Sequence, residues 1–232
     1  MHTGFFITGT DTGVGKTLVT CALLNALAQQ GRQVVGMKPV AAGCELASGS
    51  MQCEDVAQLQ AHSNVTAPLD LVNPYAFAPP VAPHIAAEQA GVEIDLEHIL
   101  AKYNALQQMA DVVLVEGVGG FMVPLNANET TADLSIKLAL PVILVVGMRL
   151  GCINHALLTA QAIAHAGLHL AGWVANQIDP AMQATASNLH TLKSRIASPL
   201  LGVVPYCKQH APARLSGHLD IACLHHSFRS PE

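Results

Sequence analysis

The stretch Gly9-Thr-Asp-Thr-Gly-Val-Gly-Lys16-Thr17 sets the tightest limit on what this chain can become. The apolar run Phe5-Phe6-Ile7-Thr8 precedes it. After it, from Thr17 to Gln30, Leu18, Leu23, Leu24 and Leu27 recur at helical spacing up to a stop at Gly31. A strand, a glycine-rich turn and a helix are therefore predicted in that order. Gly13 and Gly15 let the backbone curl so that successive N–H groups, including that of Val14, point inward. The helix that follows adds its positive N-terminal end, and together these make a site for phosphate. Lys16 is predicted to reach the β- and γ-phosphates of a nucleoside triphosphate, and Thr17 to place its hydroxyl on Mg²⁺. A glycine turn with no ligand is the alternative, and Gly-Lys-Thr set directly between strand and helix argues against it.

Beyond this turn the same alternation continues. Val34 to Met37 reads as a strand running into Lys38-Pro39, Glu54 to Ala61 as a short helix, and Leu96 to Met109 as a longer one. Asp111 to Glu116 and Pro141 to Gly147 are near-continuous apolar runs, which mark strands of a parallel sheet covered on both faces. Cys152 to Ala166 and Met182 to Ile196 read as helices. Leu170 to Ala175 and Leu200 to Val204 read as strands, and a helix from about Gly217 to His225 closes the chain. Thr66 to Pro83, rich in Pro and Ala, reads as an irregular connection. The predicted fold class is α/β: a doubly wound, mostly parallel sheet flanked by helices, forming a single domain over residues 1–232. Apolar residues make up 51% of the chain and charged residues only 12%, which suits buried strands and predicts some apolar surface covered by a second subunit.

In such sheets ligands sit beyond the carboxyl ends of the strands. Gly9–Thr17, Lys38, Glu116, Gly147–Asn154 and Asn176 all fall there, which predicts one site. Glu116 follows four apolar residues and precedes Gly117-Val-Gly-Gly120, the place for a carboxylate that holds Mg²⁺ near phosphate. Asp55, at the start of a short helix, is a second candidate; from sequence alone it equally well complements the helix dipole. Asp11 is a third acid that could approach the metal.

Net charge is −5 and basic residues do not cluster, which argues against a nucleic-acid partner. The longest apolar stretch, Leu138 to Met148, contains Pro141 and is too short to span a membrane. Met1 to Thr10 lacks a basic start, so no signal peptide is expected. The six cysteines (Cys21, Cys44, Cys53, Cys152, Cys207 and Cys223) form no C-x-x-C pair, so zinc and thioredoxin-like readings have no support; several sit in apolar contexts, where a free thiol acts as a small hydrophobe, and a reducing cytoplasm is the simplest home.

Motifs further along the chain narrow the class. Five residues separate Gly9 from Gly15, one more than in the common phosphate loop, as in the deviant loops of amidotransferases and synthetases. Lys38-Pro-Val-Ala-Ala-Gly43, Glu116-Gly-Val-Gly-Gly120, Gly151-Cys-Ile-Asn-His155 and Gly172-Trp-Val-Ala-Asn176 follow in order. From Phe6 to about Pro205 the chain resembles the dethiobiotin synthetases, P-loop enzymes. The resemblance implies ATP and Mg²⁺ as cofactors, CO2 and 7,8-diaminopelargonate as substrates, and ring closure to a cyclic urea. It implies that Lys16, Lys38 and Thr12 serve the phosphoryl and carbamate charges, and that Thr17, Asp55 and Glu116 hold the metal. Gly13, Val14, Gly15, Asn176 and Pro205 would bind nucleotide. Ala42, Gly119, Gly151, Cys152 and Asn154 would meet substrate, the last three across a homodimer interface with shared active sites. Ala42 stands where known members carry Ser, Phe121 where Trp is common, and Asn188 where some use Tyr. Two other readings are an ATP-dependent amidation enzyme, for whose usual glutaminase domain the chain has no room, and a partitioning or division-site ATPase switch. Switch loops often carry an additional early Lys, and none precedes Lys16 in this loop.

Overall fold

The computed structural model describes residues 3–47, 50–207 and 212–224. Strand β1 (Thr3–Gly9) leads through the glycine turn into helix α1 (Lys16–Gln29), and β2 is Val34–Met37. Three short strands follow, β3 (Val40–Ala42), β4 (Glu45–Ala47) and β5 (Ser50–Gln52), then α2 (Glu54–His62), α3 (Leu69–Val72), β6 (Tyr75–Phe77), α4 (Pro83–Gln89) and α5 (Leu96–Gln107). The second half runs β7 (Val112–Glu116), α6 (Thr131–Leu138), β8 (Val142–Met148), α7 (Cys152–His165), β9 (Leu170–Gln177), α8 (Thr185–Arg195), β10 (Leu200–Val204) and α9 (Pro212–Leu215).

Six strands pair in the order β10-β9-β8-β1-β7-β2, every pair parallel. Neighbouring residues of one strand face opposite layers, and both layers are covered. Phe5 and Ile7 of β1 pack with Val19, Leu23 and Leu27 of α1 and with Leu215 and Leu219. Phe6 packs on the other side with Ile99 and Leu106 of α5. Leu144 and Val146 of β8 join Trp173, Ala156 and Leu192, so α7 and α8 extend that second layer. Every residue of β2, β7 and β8 is buried, which is why these strands lack the alternation of a half-exposed sheet.

The connection between Thr66 and Pro83 is not irregular throughout. It holds α3 and β6, and β6 pairs with β3 in a small parallel sheet that carries the chain after Lys38. Helices α4 and α6 had no counterpart in the sequence reading. α4 starts at Pro83, the position where a missing N–H costs nothing. α6 starts with a capping box in which Thr130 and Asp133 exchange side chain to backbone hydrogen bonds. The closing helix predicted from Gly217 is a short helical turn over Ser216–His218, with α9 before it; His225 and His226 lie outside the described residues. Cys44 and Cys53 form a disulfide, a pairing that the sequence did not lead us to expect. Their nine-residue separation around the β4–β5 hairpin brings together cysteines that no short motif links. Among the described residues no helix is long and apolar enough to cross a membrane.

Candidate active site

The turn after β1 is built as the glycines require. Gly13 and Gly15 have φ of 73° and 87°, in the left-handed region that glycine enters without strain. At Gly15 the close approach is as demanding as the dihedral, because an added Cβ would lie 2.2 Å from Asn176 Nδ2. Asn176, at the end of β9, donates that Nδ2–H to the Val14 carbonyl at 2.8 Å and so pins the turn to the sheet. Lys16 is buried, and its ammonium donates to the carbonyls of Gly119 at 2.6 Å and Asp11 at 3.1 Å. Burial, helped by the nearby Lys38 charge, lowers its pKa to about 8. Backbone carbonyls alone thus ligate a cation whose charge burial disfavours, which suits it to receive an anion.

Beside Lys16 lies a second charged group. Lys38 directly follows β2, is buried, and places Nζ 2.5 Å from Glu116 Oε1 and 2.8 Å from Asp55 Oδ2. The Thr17 hydroxyl lies within 2.9 Å of Asp55 Oδ1 and 2.8 Å of Glu116 Oε1. Burial disfavours charge on Lys38, but the Glu116 and Asp55 carboxylates more than offset it, so its pKa is raised. Burial likewise pushes Asp55 up, and Lys38 with the Thr17 hydrogen bond outweighs it, leaving the carboxyl below its ordinary range.

These three oxygen donors pass a simple test for Mg²⁺. They are hard ligands on three separate elements, and Glu116 Oε2 is fully buried with no hydrogen-bond partner among the described residues. Among those residues no group of three or more His, Cys, Asp or Glu is arranged to hold a metal ion by itself. A set of two carboxylates and one hydroxyl suits Mg²⁺, which keeps places for waters and phosphate oxygens. Asp11, by contrast, points its carboxylate to Arg149 and to the Thr12 N–H, away from this group.

A cleft of about 420 Å³ opens over these groups. Thr12, Gly13, Gly15, Lys16, Thr17, Lys38, Ala42, Asp55, Glu116, Gly119 and Asn176 all line it, so the structure brings most of the sequence-predicted residues to one place. Val14 turns its buried side chain into the core and offers only backbone. Leu18, Gln58, Val118 and Ile178 also line the cleft and were missed. The first and third are apolar residues of motifs already noticed; Gln58 lies one helical turn after Asp55, the one signal that could have found it.

Besides Val14, four predicted residues are not among those lining the cleft of this chain. Pro205 is exposed, directly after Val204, which is in register with Asn176. Gly151 and Asn154 are exposed at the start of α7, and the Cys152 thiol is buried against the sheet. The Cys152 N–H donates to the Arg149 carbonyl at 3.0 Å, so this helix-start amide is already engaged. Asn188 donates its side-chain amide to the Ala184 carbonyl.

Residues 3–214 match the protein family described as AAA domain. The ATP-dependent dethiobiotin synthetase BioD of Nitrosospira multiformis is 56% identical over 222 residues, spanning 96% of each chain. That of Aromatoleum aromaticum is 57% identical over 217 residues, 94% of this chain and 96% of its own. The chain belongs to the ATP-dependent dethiobiotin synthetases. Its fold is shared more widely than its sequence. A ParA family ATPase from Chlorobium tepidum superimposes with a TM-score of 0.59 at 12% identity, over 97% of this chain and all of that one. The MinD cell division protein of Aquifex aeolicus gives 0.56 at 16% identity, over 99% of this chain and 98% of its own. At such identities the likeness to partitioning and division ATPases concerns the fold alone, whereas the likeness to the synthetases extends over nearly every residue. This synthetase is accordingly an ATP-using ligase with a P-loop fold.

Proposed function

We propose that this chain closes the ureido ring of dethiobiotin from 7,8-diaminopelargonate, CO2 and ATP, with release of ADP and phosphate. The supporting observation is the pairing of two buried ammonium groups, Lys16 and Lys38, on one cleft with the phosphate loop and an oxygen-donor triad. In the reaction one substrate amine adds to CO2 as a carbamate. The carbamate oxygen takes the γ-phosphoryl group, and the second amine then displaces phosphate as the ring forms. Charge accumulates on oxygens throughout, so fixed cations and dipoles carry the catalysis.

Lys16 takes the γ-phosphate charge, and Thr12, whose hydroxyl is on the cleft, donates to the same group or to the carbamate. Lys38 stands where carbamate and phosphoryl oxygens meet. Gly13, Val14 and Gly15 supply backbone amides, while Asn176, pinned by Val14, leaves its Oδ1 to read the adenine amino group, with Pro205 nearby. Thr17, Asp55 and Glu116 would hold Mg²⁺, whose contribution is to neutralise phosphate charge. Ala42 and Gly119 flank the diamine.

Gly151, Cys152 and Asn154 are assigned to the substrate of a second protomer in a homodimer. Leu150, 96% exposed, and Leu158, 57% exposed, bracket this segment with apolar surface that a partner would cover. We place the enzyme in the cytoplasm as a single domain, with no nucleic-acid or membrane partner. The test is mass spectrometry of the product formed from the diamine, ATP and ¹³C-bicarbonate. Dethiobiotin carrying one labelled carbon is expected, and an unlabelled or absent product overturns the assignment.

A further inference from the structure

Asp11 sits inside the phosphate loop, and the contacts it makes are unusual for an acid placed where a polyanion must bind. Its carbonyl accepts from Lys16 Nζ at 3.1 Å, its Oδ1 accepts the Thr12 N–H at 2.8 Å, and its Oδ2 is ion-paired with Arg149. Arg149 stands just after β8, and its own carbonyl accepts the Cys152 N–H at 3.0 Å, closing the turn into α7. A single residue therefore joins the nucleotide loop to the segment that opens α7. The two side chains are 41% and 45% exposed. Ion pairs that open to water contribute little to folding stability, so stability does not account for this placement.

Electrostatics does. A bare carboxylate between Thr10 and Thr12 would repel the triphosphate that the loop amides, Lys16 and the α1 N-terminus attract. With Arg149 paired to it the local charge is cancelled, and Oδ1 is left to fix the Thr12 amide. We propose that Arg149 is a positioning residue for nucleotide binding: it neutralises Asp11 and, through it, sets the curve that presents Thr12 and Lys16 to the terminal phosphate. The proposal rests on the nucleotide-binding part of the function above and does not depend on the identity of the second substrate.

Five proteins separate it from its alternatives: wild type, Arg149→Gln, Arg149→Lys, Asp11→Asn and the double variant Asp11→Asn with Arg149→Gln, each titrated calorimetrically with Mg²⁺ and a non-hydrolysable ATP analogue. KM for ATP, kcat and the thermal midpoint are measured on the same samples. Asp11→Asn keeps an acceptor for the Thr12 N–H but removes the charge. Arg149→Gln is expected to weaken nucleotide binding and raise KM for ATP by roughly tenfold, about the worth of one charge-assisted contact, with a smaller change in kcat and an unchanged midpoint. The double variant should bind like Asp11→Asn alone, because the repulsion that Arg149 cancels is gone, and Arg149→Lys should recover most of the loss. If Arg149→Gln weakens binding equally in both backgrounds, Arg149 touches the nucleotide directly and the proposal fails. It fails as well if the midpoint falls and KM does not move. A wild type that binds nucleotide with this pattern but makes no dethiobiotin would sink the assigned reaction and leave the role of Arg149 standing.

Discussion

Lys16 gives the account a sign and a size. In the folded protein without nucleotide its pKa lies at about 8 rather than 10.5, because burial and Lys38 both disfavour its charge. A bound triphosphate restores the charge, so binding above this pKa must draw in a proton. Between pH 7 and pH 9 the affinity for the nucleotide should therefore fall about tenfold, equivalent to 1.36 kcal/mol for each pKa unit. Over that range the nucleotide's own terminal phosphate is already ionised, since its last pKa lies near 6. Lys38, with a raised pKa, keeps its proton. Calorimetric titration at pH 7, 8 and 9, in buffers of different ionisation enthalpy, measures both affinity and proton uptake. Lys16→Arg should abolish the slope, because a guanidinium stays charged throughout. An affinity that is flat to pH 9 in the wild type, or a slope that survives in Lys16→Arg, rules out this role for the Lys16 proton. Stability shifts in the opposite sense. Between about 8 and 10.5 the unfolded chain holds a proton on Lys16 that the folded chain has lost, so this group's contribution to stability rises with pH across that window. Lys38 acts the other way: its stabilisation is complete below its unfolded pKa and is lost as pH climbs through the raised folded value.

Two substitutions test the packing of the site. Lys38→Met should abolish ring closure and also destabilise the apo protein by about 3–5 kcal/mol, because Glu116, at 0% exposure, loses its counter-charge; urea denaturation measures this. Adding Glu116→Gln should restore part of the stability and none of the activity, and a Lys38→Met protein as stable as wild type would contradict the buried pair. Gly15→Ala places a methyl group 2.2 Å from Asn176 Nδ2 in a backbone at φ 87°. Loss of nucleotide binding in calorimetry is expected, and unchanged binding would show that the Val14–Asn176 tie is dispensable.

Local sequence carried the parts of the fold whose causes are local. The strand before Gly9, the helix after Lys16 and the wholly apolar β7 and β8 follow from runs that need no distant partner to be recognised. The short strands β3 and β6 were not legible, because three residues carry no period and gain their meaning by pairing across more than thirty positions. α6 was missed although Thr130 and Asp133 stand at capping-box spacing, since its apolar stripe is short. At the site, Lys16 and Thr17 were recognisable from the glycine turn that leads into α1, and Glu116 from its place at the end of β7. That Lys38 is held between Glu116 and Asp55 was not, because the pairing joins residues 78 and 17 positions apart through the sheet. The pairing of Arg149 with Asp11 was hidden for the same reason: the two residues are far apart in sequence and meet because β1 and β8 are neighbours in the sheet. The Cys44–Cys53 bond depends on a hairpin that no motif announces.

On this mechanism the glycine loop and its two lysines couple a triphosphate to a diamine. Phosphate release from MgATP, followed with and without 7,8-diaminopelargonate plus bicarbonate, tests it most directly. Slow release alone, strong stimulation by the pair of substrates, and dethiobiotin formed in equal amount to phosphate are expected. Release that is indifferent to both substrates, and rises instead with a protein, DNA or lipid partner, would contradict it.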